Sequence, residues 1–305
     1  MPIDVADRPD LSQILTPNLY SEVLKLSFPW DGSFDSKFVS KFYFVGEPNT
    51  SQKCFDTFHS RATKPISSLC PEVPDVRKYL PDSKDPKYPE HALGLIMLLD
   101  QVPRRIYRGF DMRYTNAFFD PICLKLTKDL IAADALPDSI EEWEKLGYSF
   151  DDAMLRKLHS YSPLSHSEDL SNHDLLKEKT EKMRKEVEEH YGLRDPARDT
   201  MDQDAQDPKL FSRLIRGGPP LDGSAADFFF YFFRVRDAHR SIVVEYGRYP
   251  YRNGVMGREA TTKEREFMEA TEGFGTAGLS DTDAERVRKQ VEDGVWDELS
   301  DKGPQ

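Results

Sequence analysis

The chain has 305 residues, with 42 Lys and Arg against 54 Asp and Glu, a formal net charge of −12 and 11% aromatic residues. A chain this long closes a core without disulfide or metal staples, and its aromatic content is that of a folded protein. The acidic balance disfavours nucleic acid, whose phosphates it repels outside any local basic patch, and the longest apolar run, Leu93–Leu99, is too short to span a bilayer.

Residues 1–16 carry acids and no apolar signal-peptide core, so they read as a flexible lead-in to a cytoplasmic protein. The scattered cysteines Cys54, Cys70 and Cys123 fit a reducing compartment and offer no zinc framework. Helical periodicity then predicts helices at Pro17–Leu26, Phe34–Phe44, Pro89–Gln101, Asn116–Ala133, Phe150–Tyr161, Ser167–Tyr191, Ala225–Tyr246, Thr262–Thr271 and Asp281–Leu299. Proline-rich stretches at Pro65–Pro89, Asp195–Gly223 and beyond Gly273 read as loops, 194–223 as a mobile one, and Arg194–Asp207 within it as mobile or ordered only over a ligand. Lys177–Glu189 interleaves opposite charges at helical spacing, the pattern of a solvated face. No strand pattern and no repeat of fixed period is present. The expected fold is all-α: a single large helical domain over 17–275, followed by a charged C-terminal helix and tail over 276–305.

Three segments carry chemistry. In LGLIMLLDQVPRRIYRG (Leu93–Gly109) a helix buried on all sides ends in Asp100, a carboxylate that needs a partner or a metal. Arg104 and Arg108 follow at i+4 and i+8, so an internal Asp–Arg pair and a functional acid are both compatible with the spacing. In SPLSHSEDLSNHDLL (Ser162–Leu176), Glu168 and Asp169 suit the first turn of a helix. Capping accounts for these two acids. With Asp174, His166 and His173 nearby, so does a magnesium site. In the third segment, Asp227–Glu259, six aromatics, Phe228–Phe233, precede Arg248, Tyr249, Tyr251, Arg252, Asn253 and Arg258 around a Pro-Gly turn. Guanidinium forks there suit carboxylate or phosphate, and His239 suits a satisfied core histidine. No nucleophile elbow, P-loop, GxGxxG or HExxH occurs, so what remains is electrostatic: carboxylates with magnesium, and arginines, around a diphosphate.

At these same residues the chain resembles the domain of unknown function 924 family, a TPR-like all-helical group. The family's LLDQFPRNxxRG appears as Leu98–Gly109, its HSEDL as His166–Leu170, and its GRFPHRN as Gly247–Asn253, followed by Gly257-Arg258-Glu259. Arg105 stands where the family has Asn, Tyr251 where it has His, and His173-Asp174 where it has a Gln-Glu pair. The resemblance implies a TPR-like helical array with a ligand cavity. Through a related fungal branch, the humulene synthases, it implies a class I-like terpene cyclase (a lyase) that ionises a prenyl diphosphate, farnesyl diphosphate above all. On that implication Asp100, Glu168 and Asp169 are catalytic and, with Asp174, hold Mg2+. Arg104, Arg105, Arg248, Tyr249, Arg252 and Asn253 bind the substrate, beside a pocket of aromatics. Two other classes fit the same residues: a non-catalytic TPR-like binding or scaffold protein in which Asp100, Arg104, Glu168 and Arg252 form a buried polar lattice, and a metal-free acid–base enzyme that uses His239 on a small metabolite.

Overall fold

A helix apolar on every side has to sit at the centre of its domain, and Leu93–Leu99 does. In the computed structural model, which describes residues 8–30, 34–46, 49–275 and 278–304, none of the side chains in this run is more than 1% exposed. They belong to α3 (Tyr88–Ile106), surrounded by α1 (Pro17–Ser27), α2 (Thr50–Phe58), α4 (Asp120–Ala132) and α5 (Phe150–Ser160). Thr16 caps α1 by accepting from Leu19 N, and Pro17 occupies its first turn, where a missing N–H costs nothing. α1 turns Tyr20, Val23 and Leu24 inward against α3.

A second layer is built on α6 (Leu170–Tyr191) packed along α8 (Ala225–Tyr246), with α7 (Leu210–Gly217) on α8 and α9 (Thr262–Ala270) beside the turn that follows it. Ser224 with Asp227, and Thr261 with Glu264, form reciprocal capping boxes at the starts of α8 and α9. The last helix, α10 (Asp281–Asp293), ends on the left-handed Gly294, short of the expected Leu299. Its buried Val287, the tilted contact of Trp296 with Tyr114 at 4.8 Å, and the Arg113 guanidinium 4.0 Å over the Trp296 ring dock the C-terminal segment onto residues 113–118. Arg113 also donates to the Gln290 side chain, Tyr114 Oη to Asp297 O at 2.6 Å, and Asp301 meets His59 and Lys64.

The described residues contain helices and turns and no strand, so the all-α expectation holds for a single helical domain. No helix among them is long and apolar enough to cross a membrane. Several boundaries differ from expectation. Part of the flexible lead-in is structured: Asp10 caps a turn at Leu11–Ile14, and Leu11 and Leu15 are buried, while residues 1–7 lie outside the described residues. α3 continues through Pro103 to Ile106, which keeps Asp100 and Arg104 on one face. The 194–223 stretch, expected to be a mobile loop, holds short helices at Pro196–Asp199 and Met201–Asp204 followed by α7. It is tied down by charge: Arg198 clamps Glu188 at 2.6 Å and Glu181 at 3.0 Å, and Arg234 holds Asp204 at 2.7 Å. Arg184 sits on the supposed solvated face yet is 1% exposed, because it bridges Asp195, Asp237 and Glu181. Among the six consecutive aromatics, Phe228, Phe229, Phe230 and Phe233 are buried in the core, where Phe34 stacks on Phe229 at 5.5 Å.

Gly94 marks the closest approach of α1 and α3. A Cβ there would stand 2.5 Å from the Tyr20 carbonyl oxygen, a backbone atom held by its own helix. Gly94→Ala is therefore expected to destabilise by about 1–3 kcal/mol through overpacking, against the gain of about 1 kcal/mol that alanine brings to a helix elsewhere. A urea titration that finds the variant as stable as the parent would refute this account of the contact.

Candidate functional site

Asp100 ends the apolar run of α3 and is 1% exposed, so its charge has to be met inside the protein. Its Oδ1 accepts from His166 Nδ1 at 2.7 Å and from Arg104 Nη1 at 3.0 Å, and its Oδ2 accepts from Gln101 Nε2 at 2.5 Å. Burial opposes ionisation, but the Arg104 guanidinium and His166 more than offset it and hold the carboxyl below the usual range. Arg104 reaches further, donating through Nη2 to Asp120 Oδ1 at 2.6 Å. The other oxygen of Asp120 lies 3.5 Å from Arg252 Nη1, and that same nitrogen donates to His166 O at 2.9 Å. The lattice thus runs from α3 through the start of α4 to the turn after α8 and back to the segment before α6.

The second motif meets the third. Glu168 accepts from both terminal nitrogens of Arg258, at 2.6 and 2.9 Å, and from Tyr249 N at 2.9 Å. Burial raises the Glu168 carboxyl, and the Arg258 and Tyr249 donors pull it back below its ordinary value. Tyr249 Oη donates to Ser165 O at 2.5 Å, and its ring lies 4.7 Å under the Arg252 guanidinium. Arg248 grips Glu264 with two bonds, 2.6 and 2.8 Å, and the buried Asn253 lies against the same carboxyl.

The structure therefore gathers Asp100, Arg104, Glu168, Tyr249 and Arg252 around one buried centre, with Arg248 and Asn253 at its edge. Three predicted site residues lie elsewhere. Asp169 is exposed and caps α6, accepting from Ser171 N at 2.8 Å. Asp174, one turn on, is exposed and pairs with Arg240 at 2.8 Å. Arg105 turns to the Phe42 ring, 5.1 Å away. The set expected to hold magnesium does not fit the ion: Asp100 and Glu168 are filled by guanidinium donors, Asp169 and Asp174 point to solvent, and no group of three His, Cys, Asp or Glu among the described residues is arranged for a metal. The expected aromatic lining is likewise core packing. His239 Nδ1 donates to Val235 O in its own helix at 2.9 Å, and burial holds the ring well below the ordinary histidine value.

Sequence reasoning missed Asp120 and Arg236. Asp120 carries a faint signal, an acid beside Pro121 in the otherwise apolar run Phe118–Ile122. Arg236, in the middle of α8, is 4% exposed. Its Nη2 donates to Leu158 O at 2.6 Å and to Ser162 Oγ at 3.3 Å, satisfying the end of α5, while its Nη1 has no partner. Burial pulls its guanidinium down to about 10, which leaves it charged at neutral pH. Arg236 lines a cavity of about 100 Å3 bounded by α6, α8 and the 197–205 segment. His173 lines it too and joins it to the lattice, since its Nε2 bonds Ser167 O at 2.8 Å and lies 3.4 Å from Tyr249 Oη.

Glu264 gives a pH test of this edge. Its donors, Arg248 first, hold it at about 2 against an ordinary 4.5, so its stabilising contribution is fully present above about 4.5 and is lost as pH falls toward 2. Glu264→Gln preserves the capping box but removes the titration. Its unfolding free energy is expected to fall less steeply than the parent's between pH 4.5 and 2 in acid denaturation, and parallel slopes would refute the assignment.

No curated protein and no solved structure matches the chain. The family model described as bacterial protein of unknown function (DUF924) matches residues 27–272. That span takes in α3, the start of α4, the His166–Leu170 segment and the turn after α8, which together carry the lattice, and the chain belongs to the DUF924 family.

Proposed function

We propose that this protein is a helical binding protein in which the three motifs form a metal-independent hub, and that the hub fixes the helices bordering the cavity between α6 and α8. The observation that carries the reading is the pairing across motifs: Arg104 joins Asp100 to Asp120, and Arg258 takes both oxygens of Glu168. Each acid at the centre already has a cation from elsewhere in the chain or from the next turn, as a structural lattice requires. His173 extends from the lattice into the cavity wall and supplies the link between hub and ligand space.

Magnesium-assisted ionisation of a prenyl diphosphate is the narrower alternative. It requires Glu168 to exchange Arg258 for a metal, Asp100 to exchange Arg104, and Asp169 and Asp174 to turn inward. It also requires a chamber of ordinary ligand size, roughly 300 Å3 or more, where the cavity measures about 100 Å3.

Stability and turnover separate the two. In urea titrations Asp100→Asn is expected to lose about 3–5 kcal/mol, because it removes the negative charge from a buried pair with Arg104 and sets an amide N–H where Oδ1 or Oδ2 accepted from His166, Arg104 and Gln101. Asp169→Asn should leave the urea midpoint where the parent has it, since asparagine caps a helix as well as aspartate. Calorimetry with magnesium should show no binding heat. If Asp100→Asn keeps the parent's stability, the hub is wrong, and hydrocarbon released from farnesyl diphosphate with magnesium would install the cyclase in its place.

A further inference from the structure

Arg236 is buried with no carboxylate at ion-pairing distance among the described residues, and Asp237 and Asp100 attract it only from further off. The other guanidinium groups on the cavity wall are committed: Arg234 to Asp204 at 2.7 Å and Arg240 to Asp174 at 2.8 Å. Asp237, the acid next to Arg236 in the chain, is taken by Arg184. Arg236 itself forms no ion pair with a carboxylate among the described residues, and one of its nitrogens has no acceptor at all. A buried cation without a counter-ion is costly, and an anion entering the cavity removes that cost.

His173 adds a second requirement. Its Nε2 faces the Ser167 carbonyl oxygen at 2.8 Å, an acceptor, so this nitrogen carries the proton. In the neutral ring the other nitrogen, Nδ1, is then an acceptor, and it too is buried without a partner. Both residues line the cavity, so its wall contains a guanidinium with one buried nitrogen that lacks an acceptor and an imidazole with one buried nitrogen that lacks a donor. The exposed Lys177 lies at the rim, where its charge attracts anions. At about 100 Å3 the space is smaller than the roughly 150 Å3 cavity known to hold benzene, which limits the occupant to a headgroup or a ligand of a few heavy atoms.

We infer that the cavity between α6, α8 and the 197–205 segment binds a small oxyanion that also carries an O–H, either a short 2-hydroxycarboxylate or a hydrogen phosphate group, with the oxyanion on Arg236 and the O–H donated to His173. The inference rests on the binding reading above and names its ligand. It assigns the 197–205 segment, which Arg198 and Arg234 tie down, as the roof of the site.

Isothermal titration of the full chain with lactate, propionate and inorganic phosphate tests it. Lactate or phosphate is expected to bind at one per chain in the millimolar range or tighter, with propionate at least fivefold weaker than lactate. Arg236→Gln keeps an amide to cap α5 and should weaken binding at least tenfold while the ligand-free melting temperature stays level or rises. Ala197→Phe, which fills the cavity with Arg236 in place, should abolish binding. Lys177→Glu should weaken it roughly two- to fivefold. Failure of both lactate and phosphate to bind, equal affinity for lactate and propionate, or binding that survives Ala197→Phe overturns the inference. None of these outcomes bears on the stability of Asp100→Asn, so the hub stands or falls separately.

Discussion

Placing one carboxylate at the end of a helix with no exposed face is the constraint from which the rest of the structure follows. Asp100 cannot reach water, so the chain must bring it donors, and the charged one is Arg104 on the next turn of α3. A guanidinium has more N–H groups than one carboxylate can use, and the surplus recruits Asp120 at the start of α4. Asp120 in turn faces Arg252, and Arg252 is fastened to the carbonyl of His166, whose ring returns to Asp100. Four segments far apart in sequence are thereby held at hydrogen-bond tolerance, far tighter than apolar packing alone enforces. Buried polar networks of this kind set one arrangement of helices against its near alternatives.

The helices were legible because amphipathic periodicity is a local property. α1, α5 and α8 fall within a residue of where their apolar spacing puts them. α2 escaped notice because it is short and polar, and the order in 196–204 did because it comes from ion pairs that no spacing reveals. The site divides in the same way. Asp100 announces itself, since an acid abutting seven apolar residues has to be buried. Glu168 and Asp169 are adjacent and alike in sequence, yet one points inward to Arg258 and the other outward to cap a helix, because the chain is turning into α6 between them. Periodicity identifies partners within a helix. It is silent about which motif will face which, and every pair that joins the second motif to the third is of that kind.

Arg184 and Arg236 show how little a local charge pattern says about burial. One lies in a run of alternating charges and the other beyond a run of phenylalanines, and both are enclosed once α6 and α8 come together. Arg184 is over-supplied with acids and Arg236 is under-supplied, so the seam between these helices holds a surplus of negative charge on one side and a deficit on the other. That asymmetry, a few residues wide, is invisible in a net charge of −12.

The C-terminal segment lies past the end of the family match at residue 272, yet it lays Trp296 on the Arg113 guanidinium and brings Gln290 and Asp301 to partners in the first 113 residues. The span that the family model covers is therefore shorter than the span that packs together. A protein trimmed to the span shared with its relatives would leave Arg113 stripped of its cover and the flank of residues 113–118 open to water. Domain boundaries drawn from similarity alone would in this case cut through the molecule's own packing.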